Sequence, residues 1–330
     1  MVPAKEEQVR FDSAVKGGSP TIERIRQPEY PDLPSILPVQ EDCINQLEPG
    51  DMVCHTDGVA NARVGLVGMD IRRRTIGWTA VKAGYVGMVV PVRGREFSLS
   101  NQPVKPDRIF VSRAEEAVLF RGERRSFFGI TIQQAFLEQT IAALRGVDPD
   151  EVRISNGMLR LPPGGGLRLI RSLAGHLQGL TSPSGMSLRG SGEFFDELTT
   201  IIIDAYLAAT QPDEPRVARC HDRLRIVRRA EEHFLAQRGQ RISLVDLCTA
   251  AGVGRSALNM AFHEVTGMSP LRYLRARRLN EARVRLSAVP SGRGAVGQVA
   301  MDCGFTELGR FAGEYRQLFG VSPSMTLTRS

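Results

Sequence analysis

The chain has 330 residues, 42% hydrophobic and 24% charged, with five cysteines and a net charge of +7. That length suits two cores of ordinary size, and no stretch approaches the roughly 20 apolar residues that span a bilayer. The polar N-terminus does not read as a signal peptide, so a cytoplasmic protein with no membrane partner is expected. Cys43, Cys54, Cys220, Cys248 and Cys303 are scattered and never in CxxC spacing, which argues against a disulfide framework and a zinc site.

Residues 1–45, with "RQPEYPDLPSILPVQED", are rich in Pro and charge and predict an extended arm. From Asp51 to about Gln133 the pattern changes to short β-branched runs separated by turn signals, among them "ARVGLVGMDI", "TIGWTAV", "GYVGMVVPVRG" and "RRSFFGITI". Such runs predict a small antiparallel barrel or sandwich. After Gln133 the period becomes helical, and Gly146 stands where a left-handed cap would end the first helix. In "EFFDELTTIIIDAYLAA", Phe194, Leu198, Ile201, Ile202 and Ala205 share one helical face, which either packs on the barrel or also supplies a dimer seam. "QPDEPR", residues 211–216, marks a linker.

Charge divides unevenly along this layout. From Arg216 to Ser330 there are 19 Arg, no Lys and 9 acids, a net +10, whereas the first 215 residues carry 24 bases and 27 acids, a net −3. A basic module joined to a mildly acidic one points to a polyanion partner for the module alone.

The basic third repeats itself. At a shift of 53 residues, Leu258 falls on Phe311, Phe262 on Tyr315, Gly267 on Gly320 and Ser269-Pro270 on Ser322-Pro323. Each Gly can end a helix with positive φ, and each Ser-Pro can begin another with Ser as N-cap and Pro at the first helical position. Before each corner stands a short helix, a Gly-containing turn and a longer helix, at Ser243–Val265 and Ala295–Phe319, so two helix-turn-helix units in tandem are predicted. Between them "SPLRYLRARRLNEARVRLSAV" places Leu271, Leu274, Leu279, Ala282 and Leu286 in a helical stripe. About 19 residues of helix span roughly 29 Å, close to the roughly 34 Å between successive major grooves on one DNA face. Some arginines of "RARRLNEAR" are expected to pair with acids within the domain.

Residues from about 222 to 328 resemble the C-terminal DNA-binding domain of the AraC/XylS family of bacterial transcription regulators. The resemblance is carried by "LCTAAGVGRSALNMAFHEVTGMSPLRYLRARRLNEAR" and "VAMDCGFTELGRFAGEYRQLFGVSPS". It implies seven helices, sequence-specific binding to promoter DNA, a nucleoid-associated location and contact with RNA polymerase. The first 210 residues are similar to the family's cupin-like effector and dimerisation domains in architecture only. The expected organisation is therefore an arm over 1–45, a cupin-like sensing and dimerisation domain with an antiparallel β-barrel plus helices over 46–210, a linker over 211–221, and an all-α DNA-binding domain over 222–330.

Arg255, Ser256, Asn259, Met260 and His263 are left on the outer face of the first unit's second helix when Leu258 and Phe262 turn inward. Asn can bond adenine, Arg guanine, and Met can touch a thymine methyl; the resemblance implies base contacts at Ser256, Asn259 and Met260. The second unit offers Thr306, Glu307, Arg310 and Gly313, with Arg316 on phosphate. Its two acids on that face, Glu307 and Glu314, oppose phosphate, and Gly309 departs from the family pattern, so this unit is expected to add affinity more than specificity.

Enzymatic readings find little support. A cupin metal site needs two or three His with a carboxylate on neighbouring strands, but the strand region holds His55 alone, and no GxSxG elbow occurs. A DNA-repair methyl acceptor would need four clustered Cys. The expectation is no catalysis, no metal and no cofactor, but a homodimer whose N-terminal pocket binds a small molecule through Arg72, Arg74, Trp78, Tyr85 and Arg121. An effector-independent or repressing regulator, or a cupin enzyme with an accessory helical domain, stands as the alternative.

Overall fold

A computed structural model describes residues 36–114, 116–179, 191–210, 217–237, 242–290, 292 and 294–328. The strands are β1 (Val39–Gln46), β2 (Cys54–Ala60), β3 (Val64–Ile71), β4 (Thr75–Val81), β5 (Tyr85–Gly94), β6 (Ser98–Leu99), β7 (Gln102–Pro103), β8 (Arg108–Ser112), β9 (Val118–Gly122), β10 (Arg125–Gln133) and β11 (Gly157–Arg160). They form two sheets, one of five strands in the order β1-β4-β9-β6-β7 and one of six in the order β11-β8-β5-β10-β3-β2. The expected single barrel is thus not closed among the described residues: the chain passes from β4 to β5 by changing sheet, and pairing stays within each sheet. Of the stretch read as an arm, residues 1–35 lie outside the described residues, while Val39–Gln46 pair with β4. The linker's residues 211–216 are also outside them.

Period-2 alternation sends neighbouring side chains of one strand into different cores. On β10, Phe128, Ile130 and Ile132 face the helices α1 (Gln134–Arg145), α2 (Gly165–Gly179) and α3 (Ser191–Ala208), and join Leu137, Leu173, Leu198 and Ile202 in one cluster. The face of α3 read from the sequence is therefore spent on the six-stranded sheet. Phe127 and β3's Val67, Met69 and Ile71 face the other way, into the space between the sheets. The five-stranded sheet is likewise buried on both sides, since Val81 and Val118 point between the sheets while Ile76, Trp78 and Leu119 point outward into a third cluster.

That third cluster belongs mostly to the C-terminal part, which is all helical: α4 (Val217–Ala236), α5 (Leu244–Ala251), α6 (Arg255–Thr266), α7 (Pro270–Ala288), α8 (Ala295–Asp302), α9 (Leu308–Phe319) and α10 (Pro323–Thr328). Ser243 and Asp246 form a capping box that starts α5. Gly267 and Gly320 end α6 and α9 at φ 72° and 76°, in the left-handed region that a side chain strains, and Pro270 and Pro323 follow as first residues of α7 and α10. The repeated Gly and Ser-Pro thus form a corner between helices in both places.

Helix α7 serves two cores. Its N-terminal half puts Tyr273 and Leu274 against Leu258, Phe262 and Val265. Its C-terminal half puts Leu279, Ala282 and Leu286 against Phe311, Tyr315 and Phe319. The stripe read from the sequence is shifted at its start, because Leu271 is 50% exposed and Tyr273 is fully buried instead. The long helix leaves the Pro270 corner at an angle that turns residue 273, not 271, toward Phe262, whose ring lies 5.8 Å away.

Candidate nucleic-acid interface

The two helix-turn-helix units are α5–α6 and α8–α9, joined rigidly by α7. On α6, Leu258, Ala261, Phe262 and Val265 are buried, which leaves Arg255, Ser256, Met260 and His263 exposed and Asn259 half-buried along one face. The Asn259 amide nitrogen donates to the Arg255 carbonyl at 3.0 Å, so the side chain must rotate off its own helix to reach a base edge. No acid belongs to this five-residue set.

The second face is differently organised. Thr306 and Glu307 precede α9 instead of lying on it, because the turn through Cys303 and Gly304 runs longer than its counterpart in the first unit. Arg310, Gly313 and Arg316 are exposed on α9. Arg310 is held by Glu314 at 3.0 Å, and the same carboxylate takes a two-pronged bond from Arg275 of α7 at 2.5 Å on each oxygen. The strongest reader of the second unit is thus tied to an acid that also fastens α9 to α7. Replacing Glu314 by Gln is expected to free one or two cations and steepen the dependence of DNA affinity on salt by about one to two in log–log slope. An unchanged slope in a salt titration would remove Arg310 and Arg275 from the phosphate-facing set.

Four further arginines of α7 are committed internally, while Arg272 is exposed. Arg277 bonds the buried Glu231 at 2.6 Å, Arg278 lies 3.9 Å from the Phe234 ring centre, Arg283 lies 4.7 Å from that of Phe319, and Arg285 pairs with Glu281 at 2.8 Å. They brace the domain instead of forming a basic stripe.

The five residues expected to line an effector pocket are not gathered into one. Trp78 is 8% exposed and packs with Ile76 and Leu119 against the α4–α7 core, on the outer face of the five-stranded sheet. Arg121 donates to the carbonyls of Glu264 and Val265 at 2.8 and 3.5 Å, at the last turn of α6. Arg74 lies against the same helix end, where a Cβ built on Gly267 would come within 2.8 Å of its terminal nitrogen. Burial and the neighbouring Arg74 cation lower the Arg121 pKa. Two cations at a helix C-terminus meet the negative end of its dipole and its unpaired carbonyls, so what they hold is the end of the recognition helix itself. Arg72 pairs with Asp70 at the surface, and the Tyr85 hydroxyl donates to the Ala62 carbonyl.

The grip continues along β1. Asn280 of α7 accepts from the Gln46 N–H at 2.9 Å and donates to the Gln46 carbonyl at 3.1 Å. The Gln46 amide and the Gly50 N–H both donate to the Leu318 carbonyl at 3.0 Å. Sequence reading missed Asn280 and Gln46. Their signal was present only as polar residues at apolar-phase positions of a helix and a strand.

Two facing sheets with a helical face outside each, the outer helices carrying paired helix-turn-helix units with exposed reading faces, define a two-part DNA-binding regulator. Among the described residues no group of three or more His, Cys, Asp or Glu is placed to hold a metal ion, and no helix is long and apolar enough to cross a membrane.

A helix-turn-helix domain family model matches residues 247–329. The chain is 29% identical over 255 residues to the probable thc operon regulatory protein of Rhodococcus erythropolis, covering 72% of this chain and 74% of that one. It is 40% identical over 87 residues to XylDLEGF operon transcriptional activator 2 of Pseudomonas putida, covering 26% of this chain and 55% of that protein. Among solved structures, a probable AraC family transcriptional regulator from Rhodopseudomonas palustris CGA009 is 35% identical, with a TM-score of 0.27, covering 32% of this chain and 95% of that one. The C-terminal part of the chain carries the AraC-type helix-turn-helix domain of DNA-binding transcription regulators.

Proposed function

We propose that the chain is an effector-responsive transcriptional activator that reads tandem half-sites near a promoter. The helical C-terminal part binds the DNA, and the two sheets with α1 to α3 form a cupin-like sensing and dimerisation domain. The single observation that supports this best is the grip of Arg121, Arg74 and Gln46 on α6 and α7: it holds the end of a recognition helix while Arg255, Ser256, Met260 and His263 stay exposed. A change of shape in the sheets is thereby transmitted to the angle at which α6 meets DNA. The 19 residues of α7 span about 29 Å, a length that supports reading two successive major grooves. Activation is carried over from the names of the Pseudomonas putida relatives, and RNA polymerase is the partner that the resemblance to the family implies.

The test begins by recovering the genomic fragments that full-length protein retains at near-physiological salt. Two enriched reads about 10 bp apart are expected. Replacing Asn259 by Ala is then expected to cost about 1–3 kcal/mol at the first read while leaving salt-dependent, sequence-independent retention in place. Enrichment of one read only would reduce the second unit to a phosphate clamp. Enrichment unaltered by N259A would remove Asn259 from base recognition.

A further inference from the structure

The outer face of the five-stranded sheet brings one thiol to the junction with the helical part. Cys43 and Asn45 of β1 lie opposite Trp78 and Ile76 of β4, so alternation turns all four toward the α4–α7 core. Cys43 is half-buried there, forms no disulfide, and packs against the cluster that holds Trp78 and Tyr273.

Polar groups converge on this thiol from both parts. The Asn45 amide nitrogen donates to Cys43 Sγ at 3.2 Å, while Asn45 Oδ1 has no hydrogen-bond partner, although the residue is wholly excluded from water. Sulfur is a weak acceptor, and a buried amide left with that bond is under-satisfied. On the helical side Glu231 of α4 accepts from Arg277 of α7 at 2.6 Å and from the Tyr273 hydroxyl at 3.4 Å. Cys43 acts on both of these donors. Burial works against the Arg277 cation, yet the charge of Cys43, followed by that of Glu231, more than offsets it and raises the Arg277 pKa. Burial pushes the Tyr273 hydroxyl well above its ordinary value, and Glu231 and then Cys43 add to the effect.

Such a setting suits chemistry at sulfur. A guanidinium beside a thiol favours the ionised, nucleophilic form, and a thiolate attacked by a hydroperoxide becomes a sulfenic acid. That product answers the deficit at Asn45. Its O–H is a donor for the orphan Oδ1, and its oxygen is a stronger acceptor than sulfur for the Asn45 amide and for Arg277.

We infer that Cys43 is an oxidation site for a small hydroperoxide, placed where the sheets meet the DNA-binding helices. The thiolate sulfur gives an electron pair to one peroxide oxygen, so that an S–O bond forms and the O–O bond breaks. The departing hydroxide takes the proton that the thiol released and leaves as water; sulfur has lost two electrons and the peroxide has gained them. A small thiol reverses the change, first forming a mixed disulfide with loss of water, and a second thiol then releases Cys43 as its own disulfide forms. The added oxygen competes with Glu231 for Arg277 and stands across the β1–β4 ladder from Trp78, the chain's single tryptophan. Oxidation therefore loosens the tie between α4 and α7 and alters indole emission. Its effect on DNA rests on the regulator reading, whereas the chemistry at sulfur does not.

The test treats reduced full-length protein with hydrogen peroxide in the presence of dimedone, which bonds to sulfenic sulfur, and locates the label by peptide mass spectrometry. Cys43 is expected to label at least tenfold faster than Cys248, the half-buried thiol of α5. Without dimedone, peroxide is expected to shift Trp78 emission, a small thiol to restore it, and Cys43→Ser to abolish the shift. The double variant Arg277→Met with Glu231→Gln removes the cation together with the carboxylate that needs it, and is expected to slow labelling of Cys43 at least tenfold. Equal labelling of Cys43 and Cys248, an emission shift that persists in the C43S protein, or full labelling in the double variant would overturn the site. The comparison of the two thiols in the unaltered protein decides the question even if the double variant fails to fold. Retention of specific DNA by the reduced protein is measured alongside: labelling of Cys43 without DNA selection would sink the regulator reading and leave the site standing, and DNA selection without labelling would do the reverse.

Discussion

Arg277→Met is expected to lower the stability of the C-terminal part by about 3–5 kcal/mol, because it leaves a buried carboxylate without its cation. The Glu231 side chain is 3% exposed and its two oxygens are taken by Arg277 Nε at 2.6 Å and by the Tyr273 hydroxyl at 3.4 Å. Burial pushes the Glu231 carboxyl up to about 7 even with Arg277 and Tyr273 holding it down. With Arg277 gone, the carboxyl must hold a proton to remain inside. A carboxyl raised in the folded chain keeps a proton that the unfolded chain has released, so its stabilising contribution is whole below the unfolded value and is lost as pH rises through the folded one. The R277M deficit is therefore expected to be larger at pH 8 than at pH 5, measured as the urea midpoint at unchanged slope. Adding Glu231→Gln should recover most of the loss at pH 8. A deficit that is independent of pH, or a double variant as unstable as the single one, would mean that Arg277 acts through packing of its stem and not through its charge.

Asn280→Leu is expected to turn one cooperative unfolding transition into two. The Asn280 amide completes the hydrogen bonding of β1's last residue much as another strand would, and both Gln46 and Asn280 are almost wholly excluded from water. Leu fills nearly the same volume but strands the Gln46 N–H and carbonyl, at about 1–3 kcal/mol for each unsatisfied group. That loss falls on the junction between the sheets and the helices and not on either core, so calorimetry should show the two parts melting separately. The bonds of Arg121 to the end of α6 remain, and removing them as well, by Arg121→Met, should widen the separation. A single transition at the unaltered temperature in both proteins would mean that the Trp78 cluster alone couples the parts.

The C-terminal layout was legible because its signals are local. A glycine that must take positive φ, a proline that fits only the first turn, and apolar residues at helical spacing are properties of a few consecutive residues, and their recurrence at 53 residues marks both units without reference to any tertiary contact. The second reading face was legible only in part. That Glu314 would hold both Arg310 and Arg275 depends on the crossing of α7 and α9, 39 residues apart for one of the pairs.

The N-terminal part was less transparent for a related reason. Alternation on β4 separates Gly77 and Thr79 from Ile76 and Trp78, but it does not say what lies on either side, so Trp78 read as a pocket residue until the helices of the DNA-binding part were found against it. Arg74 and Arg121 carried the signal of an anion site, but they lie instead against the partly negative carbonyl end of α6. Arg125, in phase with Phe127 on an apolar strand, is buried beside Phe97.

By itself the sequence determined the two-part architecture, the paired helix-turn-helix units and the outer face of α6, since each follows from backbone preference and periodicity within a short segment. Only the tertiary structure decided which cations are free, which are spent, and which sheet face is covered by the second part. Those outcomes depend on distance between residues far apart in the chain, and burial and Coulomb attraction are set by distance.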